Sequence, residues 1–191
     1  MTGIAHPGFA NPVRDSQEAF RAVLDAMARP GRVHRVSVPA MPPTPLGRAA
    51  AAVLLTLVDA ETPLWLDPDA EPARDWLLFH CGSPIVPALA AQFALALQPV
   101  PLTAFSAGTD EEPESSATLI LQMEAFGEGL RLNLSGPGLA APAVLQVRGL
   151  PPGFAAEWGR NRALFPRGID LILCAGDQLA ALPRTVRIEE A

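Results

Sequence analysis

Phe165-Pro166-Arg167-Gly168-Ile169-Asp170-Leu171-Ile172-Leu173, followed ten residues later by Pro183-Arg184-Thr185, decides how the chain is read. The continuous apolar run Leu171-Ile172-Leu173 suits a strand buried on both faces, the pattern of an inner strand in an α/β sheet. Arg167 and Asp170 interrupt the apolar character on one side. A carboxylate and a guanidinium next to a buried strand need partners.

Outward from that strand, Thr118 to Phe126 is a second near-continuous apolar run. Gly127-Glu128-Gly129 then predicts a three-residue hairpin loop, and Leu130, Leu132 and Leu134 alternate with Arg131, Asn133 and Ser135, which gives the returning strand one polar face. Pro152-Gly153 opens a helix in which Phe154 and Trp158 share a face, ending before Pro166. The last strands are expected at about 169 to 174 and 179 to 188. Leu64-Trp65-Leu66 and Trp76 to Phe79 read as short strands around an acidic turn, whereas residues 85 to 97 suit no single pattern.

Upstream, Asp15-Ser16-Gln17-Glu18 has capping-box spacing, and Phe20, Val23, Leu24 and Met27 fall on one helical face before Pro30-Gly31 stops the helix. Arg32 to Val38 is β-rich, Pro39 to Pro45 is a loop, and an Ala/Leu-rich helix runs from about Gly47 to Val58. Residues 1–14, with Pro7 and Pro12 and no periodicity, are expected to form a flexible arm, and 15–191 a single domain. Helices and strands intermingle, which predicts an α/β fold with a mixed sheet.

The chain has 191 residues and needs neither disulfide nor structural metal to bury a core. Hydrophobic residues make up 49% and the mean hydropathy is +0.23, consistent with an Ala-rich core or with a face covered by another subunit. The net charge of −6 opposes generic attraction to nucleic acid or anionic lipid. No apolar stretch is long enough to span a bilayer, and the start of the chain shows no secretory pattern, so a cytoplasmic protein is expected. Two cysteines, Cys81 and Cys174, fit no metal spacing.

All 14 basic residues are arginine. Without lysine there can be no Schiff base with a carbonyl or pyridoxal phosphate, and no Walker lysine. Without tyrosine another acid drops out. Arginine is permanently charged and donates in a planar fork, so it suits phosphate or carboxylate recognition and is a poor base. The candidate anion site combines the Ser106-Ala107-Gly108-Thr109 and Ser135-Gly136-Pro137-Gly138 loops with Arg162, Arg167 and Arg184, Thr185 adding a hydroxyl. The competing structural reading has the glycines making turns and the arginines pairing with Asp170 and Glu114. His80, at an expected strand end, is a lone ligand-contact candidate; on a strand it would point away from Cys81, which excludes a dyad. His6, His34 and His80 are widely spaced, and no metal site is expected.

These blocks occur in an order that resembles the H subunit of the bacterial carbon-phosphorus lyase system, the PhnH family. The resemblance is carried by Phe20-Arg21, Ala26-Met27 and Pro30-Gly31; by Leu54-Leu55-Thr56-Leu57, Asp59, Glu61-Thr62-Pro63 and Trp65; and by Phe79-His80. It continues through Ser106-Ala107-Gly108-Thr109, Pro113-Glu114, Ala117 to Leu121, Ser135-Gly136-Pro137-Gly138 and the C-terminal segment. The resemblance implies a three-layer α/β/α core like the large domain of pyridoxal-phosphate-dependent transferases, without the cofactor. It implies a homodimer in isolation and a core complex with the G, I and J subunits. It also implies, with the G, I and L proteins, support for the step in which an alkylphosphonate displaces adenine from ATP. The residues themselves leave open a nucleotide- or phosphate-binding enzyme acting alone, with ATP or phosphonate as candidate ligand, and a purely structural adaptor.

Overall fold

A computed structural model describes residues 6–37 and 40–190. The elements run α1 (Pro12–Ala28), β1 (His34–Arg35), α2 (Arg48–Leu57), β2 (Leu64–Leu66), α3 (Arg74–Cys81), β3 (Phe93–Ala96), β4 (Thr118–Gln122), β5 (Ala125–Ser135), β6 (Ala143–Arg148), α4 (Phe154–Arg162), β7 (Asp170–Ala175), β8 (Gln178–Leu182) and β9 (Arg187–Glu190), with four short 3-10 turns between them.

The fold is mixed α/β. Six strands form one mixed sheet in the order β1-β8-β7-β4-β3-β2. Strands β2, β3, β4 and β7 are parallel, and β8 and β1 add antiparallel to one side. The apolar run that suggested two-faced burial is the inner strand β7, and its side chains part with a period of two. Leu171 and Leu173 enter one core with Leu119 and Leu121 of β4, while Ile172 and Cys174 enter the other with Ile120.

The core that takes Ile172 lies under α1, α2 and α3. Ala49, Ala50, Ala51 and Ala52 of α2 are all buried, as are Val53 and Leu54, so small side chains let α2 sit tightly between α1 and the sheet. The other core is closed by α4 and by a three-stranded antiparallel sheet, β6-β5-β9. Trp158 of α4 is fully buried there and donates its indole N–H to Val186 O at 2.8 Å. The alternation in β5 holds, with Leu132 and Leu134 at 0% exposure and Arg131 exposed.

Four expectations need correction. Gly127-Glu128-Gly129 is no hairpin loop, because β5 is one strand in the small sheet and β4 lies in the large one. The glycines form a bulge across which Phe126 and Leu130 both oppose Val147. Gly129 has φ +84°, and a Cβ there would stand 2.6 Å from Val147 O, so the bulge requires glycine. Trp76 to Phe79 belongs to helix α3 rather than to a strand. Trp76 and Leu77 are buried, Leu78 and Phe79 are 40% and 67% exposed, and Gly82 closes the helix in the left-handed conformation. His80 therefore sits on a helix. The expected last strand is two, β8 and β9, belonging to different sheets.

The fourth correction concerns α1. Its cap is Asn11, whose side chain accepts from Arg14 N–H, with Pro12 in the first turn; Asp15 reaches back to accept from Asn11 N–H at 2.9 Å. The cap, and with it the helix start, therefore lies four residues earlier than the Asp15 reading. Its buried stripe is Ala19, Val23 and Ala26, while Phe20 and Leu24 stay 48% and 56% exposed. In the 32–38 segment only His34–Arg35 is a strand, and Val38 and Pro39 fall outside the described residues.

Candidate functional site

The candidate residues divide into three places. The first is at the edge where β4 and β7 begin. Asp170 opens β7 and accepts from Arg184 four times, from the backbone N–H at 2.7 Å, from Nε at 3.2 and 3.1 Å, and from Nη2, which closes the ion pair. Arg184 Nη1 donates to Pro113 O at 2.9 Å and to Pro166 O at 3.4 Å. One guanidinium thus ties the start of β7 to both flanking loops, and with 15% of the side chain exposed it has little surface left for a ligand.

The loop carrying Gly108 and Thr109 is bound into the same knot. Gly108 N–H donates to Ser106 Oγ at 3.2 Å, Thr109 Oγ1 accepts from Glu112 N–H at 2.9 Å, and Gly168 N–H donates to Ala107 O at 2.9 Å. Arg167 pairs with Asp110 at 2.9 Å. The arginines do pair with carboxylates here, but Arg167 takes Asp110 and no side-chain bond to Glu114 forms among the described residues.

The second place is a cleft of about 270 Å³ lined by Pro137, Arg162, Phe165 and Thr185. Helix α4 brings Arg162 at its last turn, the segment before β9 brings Thr185, and the turn after β5 brings Gly136 and Pro137. Arg162 makes a single long bond, Nε to Thr185 O at 3.4 Å, and its terminal nitrogens have no partner among the described residues. Phe165 is 64% exposed beside it. The cleft offers one available guanidinium, a hydroxyl and an aromatic face, a set able to hold an anion or a phosphorylated ring compound.

His80 is the third place, on the opposite side of the large sheet. Its ring lies 4.8 Å from Trp76 and 5.0 Å from Phe79, and its Nε2 is 3.4 Å from His6 O. A Cβ on Gly8 would meet the imidazole at 2.9 Å, so the histidine packs down the N-terminal segment. It shares no cleft with the arginines. Cys81, next in sequence, is directed inward with Sγ near Leu54 O, and burial followed by the charge of Asp59 pushes its thiol up to about 12. Burial raises Cys174 as well. Neither is a nucleophile near neutral pH.

A larger cavity went unread in the sequence. About 350 Å³ lies between α4 and the 3-10 turn Leu102–Ala104, floored by Leu102, Phe105 and Ile169. Asn161, buried, mimics a strand partner: its amide donates to Ile169 O at 2.9 Å and accepts from Ile169 N–H at 2.7 Å. Glu157 accepts from Leu102 N–H at 2.8 Å. The polar residues of α4 at 157 and 161, one turn apart and three and seven residues after Phe154 on the same helical face, were the available sequence signal. Among the described residues no group of three or more His, Cys, Asp or Glu could hold a metal ion, and no helix is long and apolar enough to cross a membrane.

Comparison with known proteins places this architecture. A protein of Rhizobium meliloti called alpha-D-ribose 1-methylphosphonate 5-triphosphate synthase subunit PhnH is 41% identical over 187 residues, covering 95% of this chain and 94% of its own length. A protein of Stutzerimonas stutzeri described as "Putative C-P lyase subunit protein HtxG" is 38% identical over 181 residues, covering 90% of this chain and 85% of its own. Residues 7–189 match the bacterial phosphonate metabolism protein family PhnH, and the chain belongs to that family.

Proposed function

We propose that this chain is an accessory subunit of the machinery that makes ribose 1-alkylphosphonate 5-triphosphate from ATP and an alkylphosphonate. In that step a phosphonate oxygen bonds to C1′ of the ribose, the bond from C1′ to N9 breaks, and adenine leaves. The observation carrying this reading is the disposition of reactive groups. Asp170 is held by Arg184, His80 packs the N-terminal segment, and both thiols are buried, so among the described residues no activated nucleophile or general base lines the Arg162 cleft.

On this reading the partners are the G, I and J subunits and a second copy of the chain, in the cytoplasm, and the core is a cofactor-free relative of the pyridoxal-phosphate-dependent transferases. The expectation of a self-complementary surface is supported by α1, where half-exposed Phe20 and Leu24 lie with Arg21 and Thr56 along a shallow groove. Reconstitution tests the reading: the purified chain is mixed with the G, I and L proteins of the same organism, and adenine release is followed with ATP and methylphosphonate. Release that needs this chain together with the others is the expected result; release by this chain alone would reverse the assignment.

The Arg162 cleft favours a second reading, a nucleotide- or phosphate-binding protein acting alone, with Arg162 and Thr185 as contact residues and Gly136 in the adjoining turn; Gly108, Thr109, Arg184 and His80, expected to share that role, lie elsewhere. Ligand at ~100 times its dissociation constant raises stability by about 2.7 kcal/mol. A melting temperature unmoved by millimolar ATP decides against it.

A further inference from the structure

We infer that the cavity between α4 and the Leu102–Ala104 turn binds the organic group of an organophosphonate, with the anionic head on Arg160. The choice of phosphonate rests on the family's place in phosphonate metabolism; the choice of cavity rests on its walls. Leu102, Phe105 and Ile169 are at most 6% exposed and belong to the core, so the floor is rigid and apolar. Leu164, 38% exposed, forms a side wall. The volume of about 350 Å³ lies in the range of small-molecule sites, which are mostly apolar with a few polar groups that orient the ligand.

Those polar groups are few here, and only some are available. Asn161 is committed to Ile169 through one N–H and its oxygen, and Glu157 has one oxygen fixed on Leu102 N–H. Arg160, in the last turn of α4, makes no ion pair or hydrogen bond among the described residues and lines the same cavity, as does the exposed Thr103. An anion is attracted to Arg160 and repelled by Glu157, so the head group is held on the Arg160 side, and the apolar floor receives the substituent. A methyl group fills little of such a space. The site therefore suits phosphonates with larger alkyl or arylalkyl groups.

Titration calorimetry of the full chain with methyl-, ethyl-, propyl- and butylphosphonate tests this, with inorganic phosphate as the head group alone and pentanoate as a carboxylate carrying the butyl chain. Each added methylene that enters the cavity tightens binding roughly fourfold. Arg160→Gln, an exposed position, weakens butylphosphonate about tenfold or more through loss of a charge-assisted contact. Leu164→Asp, which sets a carboxylate in the wall, abolishes binding with an unchanged melting temperature. An affinity that is flat along the alkyl series, or that both variants leave intact, overturns the inference, and so does phosphate binding as tightly as butylphosphonate. Pentanoate binding as tightly as butylphosphonate would assign the site to organic carboxylates instead and overturn the phosphonate choice. These measurements use the isolated chain, so their failure is distinct from a failure to join the G, I and L proteins.

Discussion

Arg184 and Arg162 lie on either side of the same C-terminal segment, and only one is free. Arg184 is tied to Asp170, Pro113 O and Pro166 O, whereas Arg162 has a single 3.4 Å bond to the backbone beside Thr185. Both are preceded in sequence by polar or turn residues, and both are arginines near a loop glycine. The difference lies in the neighbouring carboxylate: Asp170 stands at the start of an inner strand, where an unpaired charge would be costly, and it recruits the nearest guanidinium. Arg162 stands in the last turn of a helix and forms no ion pair among the described residues, so its terminal nitrogens stay without a carboxylate partner.

The largest expected effect follows from the knot. Arg184→Ala leaves Asp170, 14% exposed, without its ion pair and removes both loop contacts; a loss of about 3 kcal/mol is expected in urea unfolding. Adding Asp170→Ala should recover part of that loss, because the stranded charge disappears. A loss for the double variant equal to the sum of the two singles would show that the pair does not couple. Next comes Gly138→Ala, in the turn that leads from the Arg162 cleft toward α1. Gly138 has φ +81°, and a Cβ there would collide with Ala28 O, so a loss of about 1–3 kcal/mol is expected. Arg162→Ala sharpens the contrast by doing little: stability should stay within about 0.5 kcal/mol, measured by the same urea titration. A large loss would mean that Arg162 is held as firmly as Arg184.

The same contrast explains how much could be read beforehand. The two-faced strand at 171–173, the Phe154 and Trp158 stripe of α4 and the alternation in β5 were legible because burial imposes a period on sequence. Trp76 to Phe79 was not, since four consecutive apolar residues carry no period, and the acid in the first turn and Gly82 at the end were the only helix signals. Gly127 to Gly129 looks the same as a hairpin loop and as a bulge until the partner strand is known. On α1 the large residues Phe20 and Leu24 looked like the buried face, but the close approach to α2 selects the alanines. The Arg162 cleft joins residues 23 apart in sequence, through the packing of α4 on β9, and no local pattern encodes that. Whether an arginine is free depends on which acids the fold brings near, and that is a tertiary property.

The smallest expected effect breaks the comparison from another side, because His34 is a cationic group whose charge the fold opposes. It sits in β1 with Nε2 3.1 Å from Asp25 Oδ2, but Asp25 also pairs with Arg29. Burial first, then the charges of Arg29 and Arg32, hold its pKa below the ordinary 6.5. The unfolded chain therefore binds the proton more readily than the folded one. Above 6.5 both states are neutral at this position and the histidine gives no slope; as pH falls from 6.5 toward the lowered folded value, protonation of the unfolded chain draws stability away. His34→Gln should flatten that part of the stability profile and leave the neutral-pH value nearly unchanged, measured by urea unfolding at a series of pH values. A slope of opposite sign would show that Asp25 outweighs burial and both arginines, making His34 a paired cation in the manner of Arg184 rather than a group kept neutral.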